Sequence, residues 1–365
     1  MTSDYARAVA VTCDRCQSKM QLISEMLLLS CDPRPVNTEE MQQLDGSFQS
    51  CKKEISLRLK DLSKTIQSVS SQVHTVSVIW ADMSVEIQNL SDCAILIMEC
   101  CSFAAYMIAI NSADCVKAVP GLIDKYQLCR AGIELKLSCT RLKRSRLEDI
   151  TSQVLVEVCS SISKALAVMT ECCKNAIENA KDESDQDQFK LSLKSVTSSA
   201  SCLLASVKGF QNNSNTNYLN RVISFCDPVI TSSHALVTFA TEEDFVGIPA
   251  SLTLEARDKQ KYVLGACMSI VSGSIQMCKS IRDLAYDMIN TRHRERVTLC
   301  SESIDRSSVQ LLDLLDKYNI IEFDSSIETS PSSNHTSTDL TALSSPAHTK
   351  DYLLNNHLPV HHNAI

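Results

Sequence analysis

Apolar side chains recur at alternating steps of three and four through almost all of residues 5–320, and only 7 Gly and 8 Pro interrupt the 365-residue chain. That period keeps one face of a helix apolar turn after turn. The run Ile79, Met83, Ile87, Leu90, Ala94, Ile97, Cys101, Ala104, Ile108 holds one stripe for about eight turns. A second run, Val263, Cys267, Ile270, Ser274, Met277, Ile281, Leu284, Met288, is equally regular. A helix this long cannot bury such a stripe alone, so the pattern predicts an all-α bundle fold. Ser and Cys occupy seam positions, beside small neighbours at Ala266, Ser269 and Ser272. A buried methylene contributes about 0.8 kcal/mol and a buried hydroxyl far less. The expected core is that of a tall, moderately stable rod.

Length and composition limit the classes. At roughly 150 residues per domain, the chain suggests two domains, and its 44% hydrophobic content suffices for a core in each. The formal charge of -8 argues against a global pull toward nucleic acid or anionic membrane. An acidic partner would need a local basic patch. The N-terminus lacks a basic n-region and an adequate apolar core, and no uncharged apolar stretch reaches 18 residues, so the expectation is a soluble intracellular protein without a transmembrane segment. The 18 cysteines fall mostly on apolar helix faces, where a thiol acts as a small hydrophobe. Cys13 and Cys16 have CxxC spacing, but no second pair or HxxxH completes a four-ligand site, so no metal and no cofactor is expected.

Breakers divide the chain into nine helical segments, about 5–31, 47–73, 77–112, 121–144, 148–181, 185–211, 217–241, 250–289 and 292–319. The breakers include Asp32-Pro33-Arg34-Pro35, Asp45-Gly46, Pro120-Gly121, the polar run Asn212 to Asn217, and Gly247-Ile248-Pro249. The two mid-chain pairs, Pro120-Gly121 and Gly247-Ile248-Pro249, bracket four helices and leave three before and two after. A four-helix bundle (118–247) inserted into a discontinuous five-helix bundle (1–117 and 248–321) satisfies that division. A linear array of helices satisfies it too. Residues 322–365 are rich in Ser, Thr, Asn and His without apolar period, which predicts a disordered tail.

Several stretches resemble a known family. Residues Cys13 to Leu22 and Leu27 to Ser30 in the first helix resemble the talin rod domain-containing protein 1 (mesoderm development candidate 1) family. So do Pro120 to Tyr126, Asp187 to Leu191, Ser199 to Ala205, Phe239 to Glu242, Arg282 to Ala285 and His293 to Arg296, in order and spacing. The resemblance spans about residues 5–320. It implies the paired talin-rod module, a four-helix bundle inserted into a five-helix bundle after its third helix. It also implies a homodimeric F-actin-binding and actin-bundling cytoskeletal protein, found in protrusions such as filopodia. Talin-rod bundles also receive short amphipathic helices in surface grooves, which the resemblance places on the four-helix module, so an adaptor that docks partner helices is the alternative.

No catalytic motif appears. There is no P-loop, GxGxxG or HExxH, and His74, His234 and His293 lie far apart without acidic or Cys partners. For an acidic filament the candidate contacts are Lys136, Arg141, Lys143, Arg144 and Arg146, the densest basic cluster. Lys52, Lys53, Arg58, Lys60 and Lys64 form a second cluster, and Arg257, Lys259 and Lys261 a third. Each also reads as a solvated face. Nothing aromatic is interleaved as nucleic-acid binding would want. Bundling needs two sites per particle, which a dimer supplies. The seventh helix carries one stripe for its own bundle (Leu219, Val222, Cys226, Val229, Ser233, Leu236) and more apolar residues besides. Ile223, Phe225, Pro228, Ile230 and Val237 are the candidate dimer interface, with Phe225 read either as a surface anchor beside the proline or as core.

Overall fold

The computed structural model describes residues 2–38, 47–75 and 78–318. The expected disordered tail and the Asp45-Gly46 breaker lie outside these residues. Among the described residues are nine long helices. α1 (Thr2–Ser24) runs on into a π-helical turn, Glu25–Leu29. α2 (Phe48–Val73) and α3 (Trp80–Ile110) follow. Next come α4 (Lys125–Arg144), α5 (Ser152–Asn179), α6 (Glu183–Asn212) and α7 (Thr216–Ala240), then α8 (Leu254–Tyr286) and α9 (Thr291–Lys317).

Most starts are set by side-chain caps, in which an Asp, Asn, Ser or Thr oxygen takes a first-turn amide that would otherwise lack a partner. Ser47 accepts from Ser50 N, Asp124 from Gln127 N, Thr151 from Val154 N, Asn215 from Asn217 N, Thr253 from Ala256 N and Asn290 from Arg292 N.

The buried side chains fall into two main sets. One joins α1, α2, α3, α8 and α9, and includes Met20, Phe48, Ile55, Trp80, Ile97, Ile270 and Leu311. The other joins α4 to α7, and includes Leu135, Ile162, Met169, Phe189, Leu203 and Val229. In the second set each helix touches its two sequence neighbours, and α7 closes the ring on α4. In the first, α3 lies against α1, α2 and α8 and is buried nearly all round. Both apolar seams read from the sequence are buried from their second residue to their last but one or last. Ile79, at the start of the first, caps α3 and is 59% exposed, and Met288, at the end of the second, lies beyond α8 and is 44% exposed.

α3, α5 and α7 are long and apolar enough, by length and composition alone, to cross a membrane. In α3 the most apolar stretch is 72% buried within the protein, so the bundle core already accounts for it.

The chain passes between the two sets twice at one place. Strands β1 (Val119–Pro120) and β2 (Gly247–Ile248) pair antiparallel, Val119 opposite Ile248 and Pro120 opposite Gly247. Val116 and Ser251 extend the ladder, and Ile123 N donates to Phe245 O at 3.0 Å. Both breaker pairs therefore meet in one joint. Glycine is required there. A Cβ on Gly121 would lie 2.2 Å from Phe245 O; one on Gly247, whose φ is +72°, would lie 2.2 Å from Val119 O. Replacing Gly247 by Ala is expected to lower the unfolding free energy by about 2 kcal/mol, from left-handed strain and backbone collision together. Urea unfolding checks this, and an unchanged midpoint would contradict it.

Candidate functional site

The five cations near the end of α4 do not form one patch. Successive helical residues turn by about 100°, so positions seven apart share a face. Lys136 and Lys143 share the face toward α7, where Lys143 Nζ meets Asp227 Oδ1 at 2.5 Å. That bond raises the Lys143 pKa above its usual value. Arg141 points the other way. Its side chain is 12% exposed and meets Glu157 of α5 at 3.0 Å. Burial lowers its pKa, with the nearby Arg15 adding to the effect. Arg146 stands 3.9 Å from Glu148. Lys136 and Arg144 are exposed and have no ion-pair partner among the described residues. They are the cations of the cluster left for an external anion.

The other basic clusters are largely neutralised by their own helices. On α2, Arg58 pairs with Glu54 at 2.7 Å and Lys64 with Asp61 at 3.3 Å, while Lys52 reaches Asp316 of α9. At the start of α8, Lys259 meets Glu255 at 2.8 Å and Lys261 meets Asp258 at 3.9 Å.

On α7 the expected core stripe is buried as read: Leu219, Val222, Cys226, Val229, Ser233 and Leu236. The remaining apolar residues divide between its two flanks. Ile223, Ile230 and Val237 recur at seven and lie on the α4 side, where Val237 Cγ2 approaches within 3.1 Å of a Cβ built on Gly132. Phe225 lies on the opposite flank with Tyr218 and Phe239. Tyr218 packs beside Gly209 of α6, and the Phe239 ring centroid is 4.7 Å from that of Phe189. All four candidates, Ile223, Phe225, Ile230 and Val237, are half-buried and packed against the core of their own bundle. Pro228 is exposed inside a helix that continues through it.

Cys13 and Cys16 are both buried, and burial pushes both thiols above their usual pKa. Among the described residues no group of three or more His, Cys, Asp or Glu is placed to hold a metal ion. His74 Nε2 lies 3.0 Å from Thr298 Oγ1, linking the end of α2 to α9, and His234 Nδ1 lies 3.3 Å from Thr238 Oγ1 one turn on in α7.

The strongest polar constellation was missed by reading the sequence. Glu99 of α3 is fully buried, and both the Tyr126 hydroxyl and Arg130 Nη1 of α4 donate to its Oε1 at 2.5 Å. Around this node, Lys19 meets Glu134 at 2.9 Å, Arg7 meets Asp149 at 2.7 Å, and Asp32 receives both Lys125 and Arg34 at 2.7 Å. These contacts hold α4 and its following turn against the five-helix set. One signal was available: Glu99 is the single charged residue between Cys93 and Ile110, and a lone acid in an apolar run must find a partner.

No family model matches the chain. It is 23% identical to talin of Oscarella pearsei over 273 residues, 75% of this chain and 10% of that protein. It is 23% identical to human talin-2 over 241 residues, 66% of this chain and 9% of the relative, and 21% identical to chicken talin-1 over 273 residues. The chain thus spans about a tenth of the length of the curated relatives it matches. The chain is thus distantly similar to talins over two thirds to three quarters of its length, and its described residues form an almost wholly helical bundle.

Proposed function

We propose that this chain is an F-actin-binding and actin-bundling protein of the talin rod domain-containing protein 1 type, a non-enzymatic homodimer of the cytoplasmic actin cytoskeleton and of protrusions such as filopodia. The observation that carries the reading is α7. Beyond the stripe that its own bundle buries, it carries Ile223, Phe225, Ile230 and Val237, which stay only half-buried. A helix with that surplus has surface suited to a second copy of the chain, and two copies supply the two filament sites that bundling requires. Actin contact falls to the basic end of α4, with Lys136 and Arg144 as the free charges beside Arg141, Lys143 and Arg146. The dimer contact falls to α7, through Ile223, Phe225, Pro228, Ile230 and Val237.

Low-speed actin sedimentation combined with a solution mass tests both halves. Wild type should pellet filaments as bundles and weigh as a dimer. Reversal of Lys136 and Arg144 to Glu should weaken pelleting and leave helicity intact, because exposed charges contribute about 0–1 kcal/mol each to stability. Pelleting should also weaken as salt rises past about 0.15 M, where charges are screened over about 8 Å. Phe225→Asp and Ile230→Asp report on opposite flanks of α7. The variant that yields a folded monomer able to bind filaments without bundling them identifies the dimer face. If both stay dimeric and bundle, α7 is not the interface.

The second reading is an adaptor that docks partner helices. It is favoured by a groove of about 820 Å³ between α8 and α9, lined by Ser269, Ser272, Gly273 and Ser303 with the exposed Leu299 at its edge. Such an adaptor would bind an amphipathic peptide and leave filaments in the supernatant.

A further inference from the structure

Between the two helix sets lies a cleft of about 930 Å³, walled by α1 and α3 on one side and α4 and α5 on the other. Its size is that of a small-molecule site, about 300–1,000 Å³, and its lining is charged. Arg15, Lys19, Arg130, Arg141 and Lys164 face three carboxylates, Asp92, Glu134 and Glu157. Lys19 meets Glu134 and Asp92, Arg130 is engaged by the buried Glu99, and Arg141 is held by Glu157. Arg15 and Lys164 have no ion-pair partner among the described residues. The cleft therefore holds an excess of positive charge in a chain whose formal net charge is -8.

One further observation agrees. Burial lowers the Arg141 pKa, and the positive charge of the facing Arg15 adds to that lowering.

We propose that this cleft binds a multiply phosphorylated anion, which bridges Arg15 on α1 and Lys164 on α5 and so ties the two bundles together. Phosphate suits the donors because guanidinium and ammonium groups meet its oxygens through charge-assisted hydrogen bonds. Several phosphates on one molecule are needed because the two free cations stand on opposite walls. Low-dielectric walls focus the field of the cations into the cleft.

Equilibrium dialysis of the full chain against inositol hexakisphosphate at about 0.15 M salt tests the site, with inorganic phosphate as the single-phosphate comparison. The hexakisphosphate should bind and inorganic phosphate should bind far more weakly. The double variant Arg15→Gln/Lys164→Gln should lose affinity at least about tenfold, since two charged hydrogen-bonding groups are removed. Lys208→Gln, an exposed lysine on α6 away from the cleft, should bind as wild type does. A parallel arm uses phosphatidylcholine vesicles containing phosphatidylinositol bisphosphate. Pelleting competed by the free hexakisphosphate makes the anion a lipid headgroup, and binding of the free anion without pelleting makes it a soluble one. Absence of hexakisphosphate binding overturns the proposal. Unchanged affinity in the double variant, or equal weakening by Lys208→Gln, overturns it as well. Circular dichroism of each variant keeps loss of fold from being read as loss of the site.

Discussion

Arg130→Met should lower the unfolding free energy by about 3 kcal/mol, more than any surface charge change in this protein. The substitution removes a guanidinium from a carboxylate with no exposure to solvent. Breaking one side of a buried pair leaves an uncompensated charge and costs about 3–5 kcal/mol. The Arg130 side chain is itself 29% exposed, so water can partly replace it, and the lower end of that range applies. Glu99→Gln should cost less, because the amide oxygen still accepts from Tyr126 and the charge it leaves, on Arg130, is 29% exposed to water. Adding Glu99→Gln to Arg130→Met should then recover much of the loss, a non-additivity that a double-mutant cycle reads directly. If Arg130→Met unfolds in urea at the wild-type midpoint, the node does not hold the two helix sets together.

The second large effect concerns excision. Residues 118–247 expressed alone should fold as a helical domain, and residues 1–117 joined by a short linker to 248–321 should fold without them. Each part keeps most of its own core, although Tyr126 and Ile133 of α4 pack against the other set. The same node that makes Arg130→Met costly should matter little here. In the separated parts Glu99 and Arg130 both face water, so neither is left buried and unpaired. Circular dichroism and cooperative melting of both pieces are the measurement. An unfolded excised segment together with an aggregating remainder would mean that the two sets are one cooperative unit and not separate domains.

The helices were legible because their signal is local. The three-and-four spacing in Met83 to Ile108 and in Val263 to Leu284 states which face is buried whatever lies opposite it. Breakers at Pro120-Gly121 and Gly247-Ile248-Pro249 marked where the chain leaves and rejoins one helix set. Their pairing as β1 and β2 could not be read from either alone, because it depends on Pro120 and Gly247, 127 positions apart, meeting in register.

Charge and surface were legible only in part, since their meaning depends on what stands across the gap. Arg141 and Lys143 sit two residues apart in an apparently uniform basic cluster. Tertiary packing turns one to Glu157 and the other to Asp227, and leaves Lys136 and Arg144 free. Phe225 and Ile230 looked like one apolar surface beside Pro228, but the 100° turn per residue puts them on opposite flanks of α7, against α6 and α4. The sequence by itself determined the helices and their buried stripes, because helical periodicity is a short-range property. Only the tertiary structure decided which charges cancel, where Glu99 finds its partners and that a cationic cleft opens between the bundles, because each depends on side chains from helices far apart in the chain.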